Sequence, residues 1–215
     1  MGAALTQLIP IQELTPGAVG AIRNQVINSV VALASSELGL APEKLVVRDV
    51  RPFSDLQLYA GGTTDSTLDQ WLYDATTTTA AAFTAINGSK TMGDQRYVAL
   101  FGIRDLRRGL GIHTTGMATG DTAVGLAAIP EHAKPAAMVS LVKINVGGAD
   151  KVIWDLTSIE AYPEQQIGFT PSAVIIPQNA SFVISYYFKT TIAGIRANLQ
   201  LIGVAVEPRG KVISP

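Results

Sequence analysis

The residues best suited to proton transfer or metal ligation are two histidines, His113 and His132, and neither has company. They form no H-x-H or H-x-x-x-H arrangement, and no carboxylate stands at a spacing that completes a metal set with them. The chain has no cysteine, which removes thiol nucleophiles, disulfides and thiolate zinc sites together. No serine sits in a G-x-S-x-G elbow. Asp150 with Asp155, and Glu160 with Glu164, are the carboxylate pairs that acid–base chemistry would draw on, but such chemistry depends on separation in space. Residues of this kind ordinarily occupy exposed turns and strand faces. The glycines from Gly109 to Gly125 match neither a dinucleotide fingerprint nor a P-loop, since no GK[ST] follows. The expectation is a chain that is not an enzyme, with no metal, no cofactor and no small-molecule substrate.

Residues suited to recognition are more numerous. Arg104, Arg107 and Arg108 form the one basic cluster, able to meet phosphate or the acids of a neighbouring subunit. Trp154, Tyr162, Tyr186 and Tyr187 are the aromatics from which a sugar-stacking platform would be built. Alternation places Tyr186 with Phe182, Ile184 and Phe188 on a core-facing side and leaves Tyr187 free to point outward. Asn87-Gly88-Ser89 and Asn179-Ala180-Ser181 have the form of glycosylation sequons, but nothing suggests secretion. Met1, Gly2 and Thr6 fit the N-myristoylation pattern, which is short enough to recur by chance.

The elements that must carry these residues are mostly short strands. From Ile175 to Glu207 the sequence alternates twice, first through Phe182, Ile184, Tyr186 and Phe188, then through Ala197, Leu199 and Leu201. Together these read as the closing antiparallel strands of a β-sandwich. Gly203 interrupts the second run, where a missing Cβ allows a bulge or a close neighbour, and Pro208 with Gly210 ends it. Met138, Ser140, Val142, Ile144 and Val146 alternate up to Gly147-Gly148-Ala149-Asp150, a tight turn leading to Val152–Leu156, and this is the clearest hairpin. Arg96–Ile103 is apolar enough for a strand buried on both faces. Further strands are expected over Lys44–Val50, Asp55–Tyr59 and Ile159–Phe169, the last bent at Pro163. Ser66–Tyr73 is expected as a short helix.

Near the front, Leu5–Leu14 is apolar and broken by Pro10, which suits an extended arm. Thr15-Pro16 then reads as an N-cap and first helical residue, Val19, Ile22, Val26, Val30 and Leu33 recur at helical steps, and Gly39 with Pro42 stops the run. The spacing predicts one amphipathic helix over 16–38, with Arg23, Asn24 and Asn28 on its polar side. The predicted organisation is an arm over 1–14 and a single domain over 15–215, mainly all-β: an antiparallel β-sandwich with one N-terminal amphipathic helix. There is no strand–helix alternation and no internal repeat.

Charged residues are only 15% of the 215, against about a quarter in an average soluble domain, and mean hydropathy is +0.28. A surface so thinly charged is poorly protected from self-association, whereas a subunit covered by neighbours has no such need. With 16 basic and 17 acidic residues there is no electrostatic footprint for direct nucleic-acid binding. No uncharged run reaches bilayer length, and the first residues have neither a basic nor an apolar signal region.

The closing segment, Ile176-Pro177-Gln178-Asn179-Ala180-Ser181-Phe182 and then Leu199-Gln200-Leu201-Ile202-Gly203-Val204-Ala205-Val206-Glu207-Pro208-Arg209, resembles the final strands of jelly-roll coat proteins of icosahedral viruses and tailless bacteriophages. The resemblance covers about the last quarter of the chain. It implies a jelly roll of two four-stranded sheets, a capsid subunit of a virion assembled in the host cytoplasm by lateral contacts, with copies of itself and other virion proteins as partners. The helix over 16–38 departs from a minimal jelly roll and leaves room for a decoration or tail protein. The candidate subunit contacts are Leu8, Ile9, Ile11 and Leu14 of the arm, with Arg107, Arg108 and Tyr187, and truncating the arm should impair assembly while leaving the fold intact. A β-sandwich binding module for carbohydrate or protein, using the Gly/Thr loops and Tyr187, is the alternative.

Overall fold

A computed structural model describes residues 4–50, 53–59, 62–67, 83–85, 90–105, 139–160, 162, 166–188 and 196–210. In chain order these form β1 (Ala4–Gln7), β2 (Ile9–Pro10), a 3-10 turn (Ile11–Glu13), α1 (Pro16–Leu38), a second 3-10 turn (Pro42–Lys44), β3 (Leu45–Val50), β4 (Phe53–Tyr59), β5 (Gly62–Thr67), β6 (Phe83–Ala85), β7 (Lys90–Thr91) and β8 (Tyr97–Asp105). There follow β9 (Val139–Val146), β10 (Ala149–Asp155), a helical turn α2 (Thr157–Glu160), β11 (Ile167–Ile176), β12 (Ser181–Phe188) and β13 (Arg196–Pro208). The result is a mainly β sandwich of two antiparallel-rich sheets.

The described strand pairs nest about one tight hairpin, at whose tip Gly147 and Gly148, with φ of 62° and 80°, turn β9 back into β10. Two consecutive left-handed residues make the tight turn whose twist suits a hairpin, and glycine adopts them without steric cost. Outward from that tip the antiparallel pairs nest: β8 with β11, β6 and β7 with β12, β3 and β4 with β13. Two more antiparallel pairings, β9 with β12 and β8 with β13, bring these nested pairs side by side. The first sheet therefore runs β1-β10-β9-β12-β6 and the second β2-β11-β8-β13-β4-β5.

Between the sheets lies the main core, in which Val142, Ile144, Trp154, Phe182 and Ile184 of the first sheet meet Val98, Leu100, Ile103, Leu199 and Leu201 of the second. The other face of the second sheet is covered by α1. Ile22, Val26, Val30 and Ala34, four residues apart, form one buried ridge against Tyr97, Ala99, Phe101, Val204 and Val206. The apolar run of β8 is thus buried on both faces. Fully burying one of the ridge valines or Ile22 contributes about 1.5–3 kcal/mol, so packing, not intrinsic propensity, holds this β-branched helix. The helix ends at Gly39, whose φ of 63° lets the Leu40 amide bond back to the Ser35 carbonyl.

Gly203 serves both purposes that a missing Cβ allows. The ladder between β13 and β8 shifts between Ile202 and Gly203, and a Cβ at Gly203 would lie 2.5 Å from the Ala99 carbonyl oxygen. Ile202 and Phe169 both register with Gly102, while Gly203 and Val174 register with Leu100, so Phe101 has no opposite on either neighbour. The Phe101 ring stacks on Phe169 at 6.2 Å.

Several expectations need correction. The two closing strands, β12 and β13, do not pair: each belongs to a different sheet, and they meet across the core. The strand expected over 159–169 is present only from Ile167; Ile159 and Glu160 belong to α2, and the expected bend at Pro163 lies outside the described residues. Ile159 is fully buried on α2, and β11 begins at Ile167 and continues through Pro171. Pro171 is tolerated there because the ladder to β8 is broken between Phe169 and Val174, so no N–H is required of it. Ser66 and Thr67 belong to β5, where the expected short helix would have begun; the remainder of that segment lies outside the described residues. Thr15 occupies the N-cap position of α1, but its side chain makes no capping hydrogen bond.

Candidate functional site at the N-terminal edge

The arm does not leave its own domain. β1 lies parallel to β10 at the edge of the first sheet, β2 lies antiparallel to β11 at the edge of the second, and Leu8 between them drops into the core at 1% exposure. One short segment thereby covers both sheet edges, which would otherwise present unpaired backbone groups. Ser158 Oγ donates to the Leu8 carbonyl at 2.6 Å. Tyr162 OH donates to Glu13 Oε1 at 3.0 Å, and this bond holds the phenol above its usual pKa. Ile9 is half-buried opposite Phe169, and Ile11 and Leu14 pack half-buried against the helix-side cluster. Leu8 is therefore spent on the chain's own core, not held out to a neighbour. What the arm exposes is Leu5, 64% accessible on β1, the exposed large apolar residue among the described ones.

Of the remaining candidates, Trp154, Asp150 and Asp155 take structural roles. Trp154 is fully buried, which removes it from any stacking platform. Asp155 Oδ1 accepts from the Thr157 amide and hydroxyl, fixing the start of α2, while Asp150 accepts from Asn145 Nδ2 and pairs with Lys143 at 3.6 Å. Tyr187 lies on β12 opposite Leu141. Arg107, Arg108, His113, His132 and Glu164 lie outside the described residues, and no cluster of metal-ligating side chains occurs among those described. No described helix is long and apolar enough to cross a membrane. Tyr97 OH donates to Glu37 Oε2 at 2.8 Å, tying the last turn of α1 to β8; burial and the Glu37 carboxylate push its pKa well up.

Comparison with protein-family models and with curated proteins finds no match to this chain. Function must be read from the fold and its surfaces.

Beside the first half of α1 the second sheet extends past the helix and leaves an open hollow of about 230 Å³, floored by Phe101, Phe169, Ile167 and Ile202. Arg104 stands on its rim, as does Arg23, whose Nη2 pairs with Asp49 at 2.9 Å. That pair is half exposed and contributes at most about 1 kcal/mol. The hollow falls short of the roughly 300–1,000 Å³ of small-molecule sites. At the start of β3 and end of β13, Glu207 is 2% exposed, with Oε1 3.5 Å from Arg48 Nε and Oε2 lacking a hydrogen-bond partner among the described residues.

Reading the sequence alone passed over Leu5 and Gly168. The signal for Leu5 was its place in an uncharged tetrapeptide before Leu8, and for Gly168 its place inside the apolar run Ile167–Phe169, where a Cβ would lie 2.8 Å from both the Leu8 Cβ and Ile159 Cγ2.

Proposed function

We propose that this chain is a jelly-roll coat subunit, a non-enzymatic structural protein of a virus-like particle that assembles through lateral contacts with its own copies. The observation that carries the reading is the nesting of strand pairs about Gly147-Gly148. A jelly roll is a ribbon of such pairs, wound so that alternate strands fall in opposite sheets. Within the order β11-β8-β13-β4 facing β10-β9-β12-β6, every neighbouring pair is antiparallel. The thin surface charge supports assembly, because covered flanks need no ionised groups to keep copies apart. The arm and α1 then belong to the subunit itself, one closing an edge of each sheet and the other covering the second sheet, while among the described residues no long helix covers the outer face of the first sheet.

The test is the mass and appearance of the purified full chain, by light scattering and negative-stain microscopy. Rings or closed shells of many copies are expected. A chain that stays single at high concentration overturns the reading and favours a β-sandwich binding module, for which the hollow beside Arg104 would be the place to look.

A further inference from the structure

We infer that β1 is a contact between two copies of this chain, formed by antiparallel pairing of β1 with β1 across a two-fold axis at Leu5. The inference rests on the reading that the chain assembles with itself and names one of its contacts. The edge strands among the described residues differ in what guards them. β2 is two residues long and ends in Pro10; β6 and β7 are three and two residues long, β7 carrying Lys90; β5 carries Asp65. Brevity, proline and charge are the ordinary means of discouraging edge-to-edge pairing. β1, Ala-Leu-Thr-Gln, has no charge, proline, glycine or bulge, and it pairs with β10 in unbroken register. Its other side has no strand partner among the described residues. Every second amide and carbonyl along it therefore faces outward, ready for another strand.

Parity fixes the register. A two-fold axis perpendicular to the sheet keeps each side chain on its own face, and directly opposed residues share a face, so the axis must pass through a residue opposite its own copy. Placed at Leu5, it sets Ala4 against Thr6 and brings the two exposed leucines together on the outer face, where each covers the other. This contact is isologous and closed, as two-fold contacts are. The first sheet would run on from one copy to the next.

The absence of cysteine makes the test clean, because a single introduced thiol has no competitor. In the full chain, Leu5→Cys should form a disulfide-linked dimer under mild oxidation, since opposed Cα atoms about 4.5–5.5 Å apart lie within disulfide reach. Lys151→Cys, exposed on β10 but away from the edge, should not. Leu5→Lys should weaken the two-copy contact by at least about tenfold, with an unchanged thermal transition at concentrations too low for association, because Leu5 is exposed in the single copy. If the wild-type chain assembles while Leu5→Cys remains uncrosslinked, this contact is wrong and the coat reading stands. If only dimers form and they crosslink at Leu5, the contact stands and the coat reading falls.

Discussion

Leu8 and Gly168 are in contact so close that a Cβ added to the glycine would lie 2.8 Å from the leucine's own Cβ and 3.2 Å from its Cδ1. The glycine is there because the arm must pass between the sheets at that point, and only a residue without a side chain leaves room. Leu8→Ala should lower stability by about 2–5 kcal/mol, as for other buried leucines. Gly168→Ala should cost about 1–3 kcal/mol by overpacking. The double variant should recover little of the second loss, because Leu8→Ala removes Cδ1 but keeps the Cβ that the new methyl meets at 2.8 Å, and Ile159 Cγ2 stays at 2.8 Å as well. Denaturant midpoints of the four proteins check this, and a double variant clearly more stable than the sum of the two losses would show that the arm shifts to make room.

A second glycine is constrained by backbone instead. The Cβ of Gly203→Ala would meet the Ala99 carbonyl oxygen at 2.5 Å and Leu100 Cδ2 at 2.9 Å. A carbonyl fixed in a ladder between β8 and β13 cannot swing aside as a side chain can. The substitution should therefore destabilise by about 1–3 kcal/mol, and trimming Leu100 to alanine should fail to restore it. Thermal unfolding of the single and double variants checks the prediction.

These two glycines mark where sequence reading worked and where it stopped. Gly203 was legible because it breaks a long alternating strand, and alternation is a local property. The bounds of α1, set by Thr15-Pro16 and Gly39, and the hairpin at Gly147-Gly148 were legible for the same reason. Gly168 was not, since its need comes from Leu8, which is distant along the chain. Partner choice among strands is likewise non-local: the alternation gives the core face correctly at Phe182 and Ile184 and at Leu199 and Leu201, but says nothing of their lying in opposite sheets. Ile159 misled because one apolar residue in a helical turn reads as well in a strand. The arm was legible as extended but not as self-covering, because whether an apolar segment docks on its own domain or on a neighbour depends on edges built from β10 and β11.

Tyr97 should give the protein an alkaline limit. Its phenol, buried and donating to Glu37, has its pKa raised well above the ordinary tyrosine value in the fold. Above about pH 10 the unfolded chain releases this proton while the folded chain keeps it, so the unfolded state binds fewer protons. The stabilisation is fully present below about pH 10 and is lost as pH rises toward the folded value, by up to about 1.4 kcal/mol per pH unit. In Tyr97→Phe the slope of stability against pH in that window should be shallower than in the wild type. Urea titrations at a series of alkaline pH values read the difference, and equal slopes would assign the alkaline loss to other groups.

Removing residues 1–10 should do more than strip away an assembly contact. It withdraws Leu8 from the main core and leaves β10 and β11 as bare edges, each with several unpaired backbone groups. The truncated chain should be less stable than the wild type by at least the cost of Leu8→Ala, and it should aggregate without a defined size, because two open edges template pairing in more than one register. Leu5→Lys, which leaves both edges covered and Leu8 in place, should instead keep the stability and alter only the association. Measuring unfolding and particle size on both variants separates the arm's two parts: its inner residue, which closes the fold, and its outer residue, which lies at the proposed contact. A truncated chain with wild-type stability would mean that Leu8's burial contributes little and that the edges close without the arm.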